Sequence, residues 1–211
     1  MTREPSHRPY RMGLRAEQQA LTRQRITESA VELHGTLGPA RTSMSAVAAR
    51  AGVRRSTLYR HFPDESALFD ACTAHWMAAN PPPDLSTWAE IPSPDERLRT
   101  ALGELHGFYR RTEQMLDNLF RDESIVPLVA ERFAAFRGYL AAAQDALMRG
   151  RNARGTTARR ARGALGHAVA FSTWKSLVRE HGVSDADAVA LLCALVAASS
   201  TTVGSTWRTG A

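Results

Sequence analysis

The chain has 211 residues, enough for one large core or for a small module joined to a larger domain. Hydrophobic residues make up 44% and charged residues 23%, a balance that excludes an intrinsically disordered chain. Residues 1–62 hold eleven arginines against four glutamates, a net charge of +7, whereas the remaining residues carry −1 of the total +6. A basic N-terminal third on a near-neutral body is typical of a nucleic-acid-binding module with a second domain; a solvated basic tail is the alternative.

Membrane and metal-binding classes are disfavoured by the sequence. The N-terminus has arginines but no apolar signal-peptide core, and no run of about 18 apolar residues predicts a spanning helix. Cys72 and Cys193 lie far apart in apolar surroundings without metal-ligand spacing, which predicts buried free thiols in a reducing compartment. We therefore expect a cytoplasmic, soluble protein that binds neither a membrane nor a metal ion.

Apolar residues recur at helical spacing along nearly the whole chain, which predicts an all-α fold. Four helices are predicted first: Ala16 to Leu37, Thr42 or Ser43 to Gly52, Arg54 to His61, and one that begins after Pro63-Asp64. The residues expected to face inward on the first helix are Leu21, Ile26, Ala30, Leu33 and Leu37.

Five prolines within residues 80–96 cannot occupy helix interiors, and they predict a linker or irregular loop. Beyond them, helices are predicted at about 95–112, 114–123, 126–149, 157–180 and 184–207. The arginine-dense segment 149–163 predicts a solvent-exposed connection, with a second phosphate contact as the alternative. The chain is thus divided into a basic arm (1–19), a small helical domain (20–79), the proline-rich segment (80–94) and a larger helical domain (95–207).

Residues 44–61 meet the demands of two short helices joined by a tight turn. Such helices cross closely, which requires a small residue in the first helix, a residue that tolerates positive φ in the turn, and apolar anchors on both sides. Ala48 is the small residue, Gly52 occupies the turn, and the anchors are Val47, Val53 and Leu58. The pattern predicts a helix-turn-helix.

The outward face of the second of these helices is polar. With Leu58 inward, the roughly 100° step of a helix places Ser56 and Arg60 on the opposite face, flanked by Thr57 and Tyr59. Arginine can donate two hydrogen bonds to guanine in the major groove, and hydroxyl groups suit phosphate oxygens. This face predicts binding of duplex DNA; a merely solvated face is the alternative.

Three segments, RITESAVELHG, TSMSAVAARAGV and STLYRHFPDESALF, resemble the three-helix N-terminal domain of the tetracycline-repressor (TetR/AcrR) family over about residues 20–78. The resemblance implies a homodimeric transcription regulator, usually a repressor, whose divergent C-terminal domain binds a small molecule that releases DNA. It implies DNA contacts from positions on and before the second helix of the motif. The full predicted DNA-binding set is Thr42, Ser43, Arg54, Arg55, Ser56, Thr57, Tyr59, Arg60 and His61.

Two positions depart from the family pattern. Glu65 stands where the family usually has a lysine, so its charge would repel a phosphate. Arg60 stands where an aromatic residue often precedes the histidine, and it could recover part of the lost phosphate affinity. Arg8, Arg11 and Arg15 in the N-terminal arm predict either a minor-groove contact or a solvated tail.

Residues 95–207 contain no catalytic or nucleotide-binding motif, so we predict no enzyme activity and no cofactor. Aromatic and histidine side chains at helical spacing predict a pocket for a hydrophobic effector, with an ordinary core as the alternative. The predicted pocket residues are His106, Tyr109, Met115, Phe120, Phe133, Phe136, Tyr139, His167, Phe171 and Trp174. An all-α small-molecule-binding or catalytic protein with an incidental basic N-terminus is the second interpretation.

The final predicted helix, 184–207, is apolar and rich in small residues, which permits close approach of another helix. Paired with helix 157–180, it predicts a four-helix homodimer interface; an internal core helix is the alternative. The two recognition helices of such a dimer must lie about 34 Å apart, or a multiple of this, to read successive major grooves of a palindromic operator.

Overall fold

A computed structural model describes residues 8–199, with side chains described from residue 13 onward. Arg8 and Arg11 therefore lie outside the described side chains, and predicted helical residues 200–207 lie outside the described chain. The elements are helical, as predicted: α1 (Arg8–Thr36), α2 (Met44–Arg50), α3 (Arg55–His61), α4 (Glu65–Ala79), α5 (Leu85–Ala89), α6 (Pro94–Asp122), α7 (Pro127–Met148), α8 (Gly155–Ala168), α9 (Phe171–Lys175) and α10 (Asp185–Ser199). A 3₁₀ turn forms at Pro39–Arg41 and a π-helical segment at Ser176–Glu180.

The described chain divides into two compact units. The N-terminal unit comprises residues 8–81 and 114–133, and the C-terminal unit comprises residues 82–113 and 134–199. This division differs from the limits expected at 80 and 95, because the end of α6 and the start of α7 belong to the N-terminal unit. Helix α6 consequently contributes residues to both units.

The core of the N-terminal unit lies among α1, α2, α3 and α4. Ile26 and Ala30 are fully buried, as predicted, whereas Leu21 and Leu37 are 60% and 44% exposed. Leu21 precedes Ile26 by five residues, which places it about 140° around the helix from the buried face. Leu37 follows the last residue of α1. The other buried members of this core are Met44, Val47, Ala48, Ala51, Leu58, Phe62, Leu68 and Cys72.

Two helices of the C-terminal half differ from their predicted extents. Helix α6 is uninterrupted where two helices were predicted, because buried Thr112 donates its hydroxyl to the Phe108 carbonyl at 2.7 Å and fits within the helix. The predicted helix 157–180 is instead broken between α8 and α9. At this break the Val169 carbonyl accepts a hydrogen bond from the Tyr109 hydroxyl, which replaces a helical partner.

The proline-rich segment is more ordered than predicted, since it contains the short helix α5. Asp84 caps α5 by accepting a hydrogen bond from the Ser86 amide at 2.9 Å. Trp88 of this helix is fully buried, and its ring nitrogen donates to Glu104 at 2.7 Å. A buried indole whose donor is satisfied fixes α5 on the C-terminal unit.

Helix α10 is buried along one face and exposed along another. Ala188, Leu192 and Val196 are buried, and α10 packs against α8. Leu191 and Leu195 are 53% and 43% exposed. The helix is therefore not an internal core helix within this chain, and its exposed leucines leave an apolar strip on the surface of the described chain.

Neither cysteine forms a disulfide; Cys72 is buried, as predicted, and Cys193 is half-buried. Burial raises the pKa of the Cys72 thiol to about 12. None of the described helices is both long and apolar enough to cross a membrane. Among the described residues, no group of three or more His, Cys, Asp or Glu side chains is placed to hold a metal ion.

Candidate nucleic-acid interface and effector site

The turn between α2 and α3 is closed by a glycine in a left-handed conformation. Gly52 has a φ of +64°, which strains other residues. The Gly52 amide donates to the Ala49 carbonyl at 3.1 Å, and the Val53 amide donates to the Ala48 carbonyl at 3.0 Å. These two bonds form a Schellman motif that ends α2 and fixes the direction in which the chain enters α3.

Ser43 caps the N-terminus of α2. Its Oγ accepts a hydrogen bond from the Ala46 amide at 3.2 Å. Thr42, the other predicted cap, instead donates its hydroxyl to the Gly38 carbonyl at 2.8 Å. Ser43 is exposed and Thr42 is half-buried, so only Ser43 of this pair presents most of its side chain to solvent.

The polar face of α3 has the orientation predicted from the sequence. Leu58 is fully buried, whereas Ser56 and Arg60 are exposed on the opposite side. Arg55 lies one turn from Tyr59, with its Nη2 3.4 Å from the Tyr59 hydroxyl and its guanidinium carbon 5.8 Å from the ring centroid. Of the other predicted contacts, Arg54 is exposed and Thr57 is half-buried.

Arg23 holds the C-terminus of α3, a role that the sequence did not reveal. Its Nη1 donates to the His61 carbonyl at 2.6 Å, and its guanidinium carbon lies 4.1 Å from the centroid of the Phe62 ring. His61 Nε2 is buried and has no hydrogen-bond partner among the described residues, which leaves Nδ1 as the nitrogen that a phosphate could reach. Burial, together with the charges of Arg60 and Arg23, lowers the pKa of His61, which favours the neutral form of its ring.

Glu65 places a negative charge beside the predicted interface. It is exposed in the first turn of α4, a helix that Asp64 caps by accepting a hydrogen bond from the Ala67 amide at 2.8 Å. Glu65 lines the same small cavity as Thr42 and Ser43, with a volume of about 50 Å³. The carboxylate stabilises the start of α4 but opposes a phosphate that approaches Ser43.

The end of α6 binds the connection between α1 and α2. Asn118 Nδ2 donates to the His34 carbonyl at 3.0 Å and to the next carbonyl at 2.7 Å. Arg121 Nη2 donates to the Leu37 carbonyl at 2.9 Å. Carbonyls at the C-terminus of a helix have no partner within that helix, so these bonds complete the end of α1. Asn118, Arg121 and Asp122 are hereafter named the α6 clamp.

Asp122 is the buried member of the α6 clamp. Its Oδ2 accepts a hydrogen bond from the Ala40 amide at 2.9 Å, and Arg121 Nε donates to its Oδ1 at 2.8 Å. Burial alone would raise the pKa of Asp122, but the hydrogen bonds from Arg121 and Ala40 outweigh it, and the pKa lies below its ordinary value. Gly38 has a φ of +93°, and a Cβ at this position would overlap with the Arg121 guanidinium.

Six of the predicted pocket residues lie in the C-terminal unit and are buried or half-buried: His106, Tyr109, Phe136, Tyr139, Phe171 and Trp174. The Tyr109 ring centroid lies 5.4 Å from that of Phe171 and 5.9 Å from that of Trp174. Phe108 links this group to Phe136 with a centroid separation of 6.2 Å. The name aromatic cluster is used below for Phe108, Tyr109, Phe136, Tyr139, Phe171 and Trp174.

The other four predicted pocket residues do not join the aromatic cluster. Met115, Phe120 and Phe133 belong to the N-terminal unit, where the rings of Phe120 and Phe133 meet edge to face at 4.7 Å. His167 is exposed on α8, with its Nδ1 3.2 Å from the Thr173 hydroxyl. Helical spacing predicts that such residues share a helix face, but it does not predict the residues against which that face packs.

Comparison with known proteins gives one sequence match and several similar folds. Residues 26–72 match the family model described as bacterial regulatory proteins, tetR family. No curated protein matches the chain. Helices α2 and α3 lie within the matched residues.

Three solved structures illustrate the similarity of fold. A TetR-like transcriptional regulator from Rhodococcus sp. RHA1 is 23% identical, with 84% of this chain and 94% of that chain covered and a TM-score of 0.57. NalD, the secondary repressor of the MexAB-OprM multidrug efflux pump in Pseudomonas aeruginosa, is 20% identical over 90% and 100%, with a TM-score of 0.56. A TetR transcription regulator from Haloarcula marismortui ATCC 43049 is 12% identical over 86% and 97%, with a TM-score of 0.54.

At these identities the solved structures establish the fold, and the family match is confined to residues 26–72. The match spans the capped start of α2, the Gly52 turn and the polar face of α3. Residues 26–72 thus resemble the tetR family of bacterial regulatory proteins, and α2 and α3 within them form a helix-turn-helix.

Proposed function

We propose that this protein is a homodimeric transcriptional repressor that binds duplex DNA through α3 and leaves it when a small molecule binds the C-terminal unit. The observation that carries the proposal is the exposed face of α3, where Arg55, Ser56, Tyr59 and Arg60 project from a helix anchored by buried Leu58. NalD, a protein of similar fold, is a repressor.

The chemistry of this face suits DNA. Arg55 and Arg60 supply guanidinium groups for guanine edges or phosphates, and Ser43 and Ser56 supply hydroxyl groups for phosphates. The face carries no carboxylate within Arg55–His61, so it does not repel the DNA backbone. Arg23 and the Gly52 turn hold α3 at both ends, which limits the ordering entropy that binding must overcome.

The proposed dimer forms through α10, aided by α8. Exposed Leu191 and Leu195 lie one turn apart on α10, beside the face that holds buried Ala188, Leu192 and Val196. Burial of these side chains against a second copy would remove apolar surface from water. A twofold dimer would present two α3 helices to the two halves of a palindromic operator.

The proposed effector site is the region of His106 and the aromatic cluster, and α6 supports its coupling to DNA binding. This helix carries His106 in the part that belongs to the C-terminal unit and the α6 clamp in the part that belongs to the N-terminal unit. A shift of α6 would strain the clamp bonds that hold the connection to α2. An effector can release DNA only if it binds the protein with α6 shifted more tightly than it binds the protein with the clamp bonds intact.

The proposal is tested by footprinting the purified dimer on DNA that flanks its own gene. We expect protection of a palindromic site and its loss on addition of effector. Thermodynamic linkage requires that operator DNA weaken effector binding by the same factor by which the effector weakens DNA binding. This factor is typically about 5-fold to 150-fold. No protected site at low salt would contradict DNA binding, and equal effector affinity for the free and DNA-bound dimer would contradict effector-driven release.

A further inference from the structure

A buried histidine without hydrogen bonds lies in the C-terminal unit. His106, on α6, is 1% exposed, and neither Nδ1 nor Nε2 has a hydrogen-bond partner among the described residues. The nearest acidic oxygen, Asp185 Oδ1, lies 3.7 Å from Nδ1, beyond hydrogen-bond distance. Buried polar side chains are nearly always satisfied, because an unsatisfied group keeps its full desolvation cost. The His106 ring therefore lacks a hydrogen-bond partner that any of the described residues supplies.

Asp185 does not accept a hydrogen bond from His106 in this arrangement, and each of its oxygens has another partner. Trp174 Nε1 donates to Oδ1 at 3.1 Å, and Arg110 forms an ion pair with Oδ2. Burial, together with the charge of Arg110, lowers the pKa of His106 to about 4. The ring is consequently neutral at pH 7, with one nitrogen able to donate a hydrogen bond and the other able to accept one.

The polar rings of the aromatic cluster have already used their hydrogen-bond donors. The Tyr109 hydroxyl donates to the Val169 carbonyl, and the Tyr139 hydroxyl donates to the Pro83 carbonyl at 2.9 Å. The Trp174 nitrogen is committed to Asp185. Of His106 and the aromatic cluster, the imidazole is thus the ring whose polar atoms are all unpaired, whereas the tyrosine hydroxyls have used their donors and can only accept.

The backbone that carries Phe171 and Trp174 is irregular. It follows the break after α8, runs as α9, and changes to a π-helix at Ser176–Glu180. Single turns of π-helix occur frequently at functional sites, where they reposition side chains at the expense of regular helical bonding. His106, Tyr109 and Trp174 are closed to solvent, so a ligand would enter when this segment moves.

The charges around Trp174 are already paired, which restricts the class of ligand. Arg179 bonds Glu113 through Nε at 3.0 Å and Nη2 at 2.7 Å, and its guanidinium carbon lies 5.2 Å from the Trp174 ring centroid. The indole therefore already has a cation beside it, and Asp185 is paired with Arg110. A cationic ligand would meet the positive charge of Arg179 beside Trp174 and an Asp185 that is already paired, and an anionic ligand would find Arg110 and Arg179 already committed.

We propose that the effector is an uncharged, largely apolar or aromatic molecule with one hydroxyl or carbonyl group, and that this group hydrogen-bonds His106 while the apolar body packs on Tyr109, Phe171 and Trp174. This inference rests on the proposed effector site and specifies its chemistry. Binding satisfies the imidazole.

The test uses the full chain and two matched series of probes. Each series carries a hydroxymethyl, methyl, carboxylate or methylammonium group on one ring system: benzyl alcohol, toluene, benzoate and benzylammonium, and their 1-naphthyl counterparts. Calorimetric titration is expected to show the alcohol of at least one series binding about tenfold more tightly than its methyl analogue, with both ions weaker than the alcohol.

His106→Phe keeps a ring in place but removes both hydrogen-bonding atoms. We expect it to reduce the preference for alcohol over methyl analogue to less than about twofold, while the methyl analogue still binds and so shows that the site is intact. His106→Asn, which retains a donor and an acceptor, is expected to keep part of the preference and covers the case in which the phenylalanine variant fails to fold.

The inference is overturned if no probe binds, if the methyl analogue or an ion binds as well as the alcohol, or if both His106 variants keep the full preference. DNA affinity of the unliganded wild type, measured in parallel, separates this result from the proposed function. A protein that binds the alcohol through His106 but never binds DNA would support the ligand chemistry and contradict the regulator.

Discussion

The Asp122 carboxylate accepts a hydrogen bond from the Ala40 amide at 2.9 Å, across 82 positions of sequence. This contact joins the end of α6 to the 3₁₀ turn that leads into α2. It lies within the N-terminal unit, so it holds the start of the helix-turn-helix irrespective of any other contact of α6. The α6 clamp is therefore the feature of this unit through which we expect changes in α6 to reach α2 and α3.

Asp122→Asn should destabilise the protein by about 1–3 kcal/mol, because it weakens the hydrogen bonds from Arg121 and the Ala40 amide to a buried carboxylate. Urea unfolding measures this change. DNA affinity should fall as well, because the connection before α2 loses its anchor. Gln114→Ala, at an exposed position on the same helix, is the control and should change neither quantity. Unchanged stability in the Asp122 variant would show that the α6 clamp does not stabilise the connection before α2.

Gly38→Ala should destabilise the protein, because a Cβ there would displace the Arg121 guanidinium and alanine is strained at a φ of +93°. Gly103→Ala provides the opposite case. Gly103 lies within α6 with no atom near the position of an added Cβ, so alanine should stabilise the helix by about 0.5–1 kcal/mol. Thermal unfolding of the two variants compares them directly. A stabilised Gly38 variant would show that the clamp geometry is wrong.

The helix-turn-helix could be predicted from the sequence because its requirements are local. Ala48, Gly52 and Leu58 lie within eleven residues, and their size, backbone freedom and burial follow from spacing alone. The polar face of α3 then follows from the position of Leu58. Its orientation is confirmed by the burial of Leu58 and the exposure of Ser56 and Arg60.

The α6 clamp and the division of the predicted pocket could not be predicted in this way. Asn118 and Asp122 act on backbone groups more than 80 residues away, and nothing in their immediate sequence marks that role. The break after α8 is also nonlocal, since the Val169 carbonyl is satisfied by Tyr109 from α6. Phe120 and Phe136 show the same limit, because helical spacing fits a core in either unit.

Glu65→Lys should increase DNA affinity, because it replaces a carboxylate near Ser43 with an ammonium group that can pair with a phosphate. Each new phosphate contact steepens the dependence of log affinity on log salt by about 0.9, or about 1.8 for a dimer. Fluorescence anisotropy over a salt series measures both effects. Glu65→Gln should raise affinity without the full gain in slope, and an unchanged slope in the lysine variant would place residue 65 away from the DNA backbone.

Stability should fall as the pH is lowered from about 6.5 to about 4. Burial lowers the pKa of His106 and of His34 from 6.5 to about 4, so between these values the unfolded chain binds more protons than the folded one. Melting temperatures across this window should decline less steeply in His106→Phe than in the wild type. His75→Gln, at an exposed position, is the control. Parallel profiles for His106→Phe and the wild type would mean that the buried ring does not titrate as described.

Binding of duplex DNA by wild-type and α3-variant proteins over a salt series tests the central claim most directly. We expect the wild type to lose affinity by about a thousandfold between 50 and 200 mM salt. Arg55→Ala and Tyr59→Ala should each weaken the operator complex by about 1–3 kcal/mol with little change in melting temperature, because both side chains are exposed. Leu58→Ala should instead cost about 2–5 kcal/mol of folding stability. An undetectable or salt-independent DNA complex, or wild-type affinity in both exposed variants, would contradict the assignment of α3 as the DNA-binding helix.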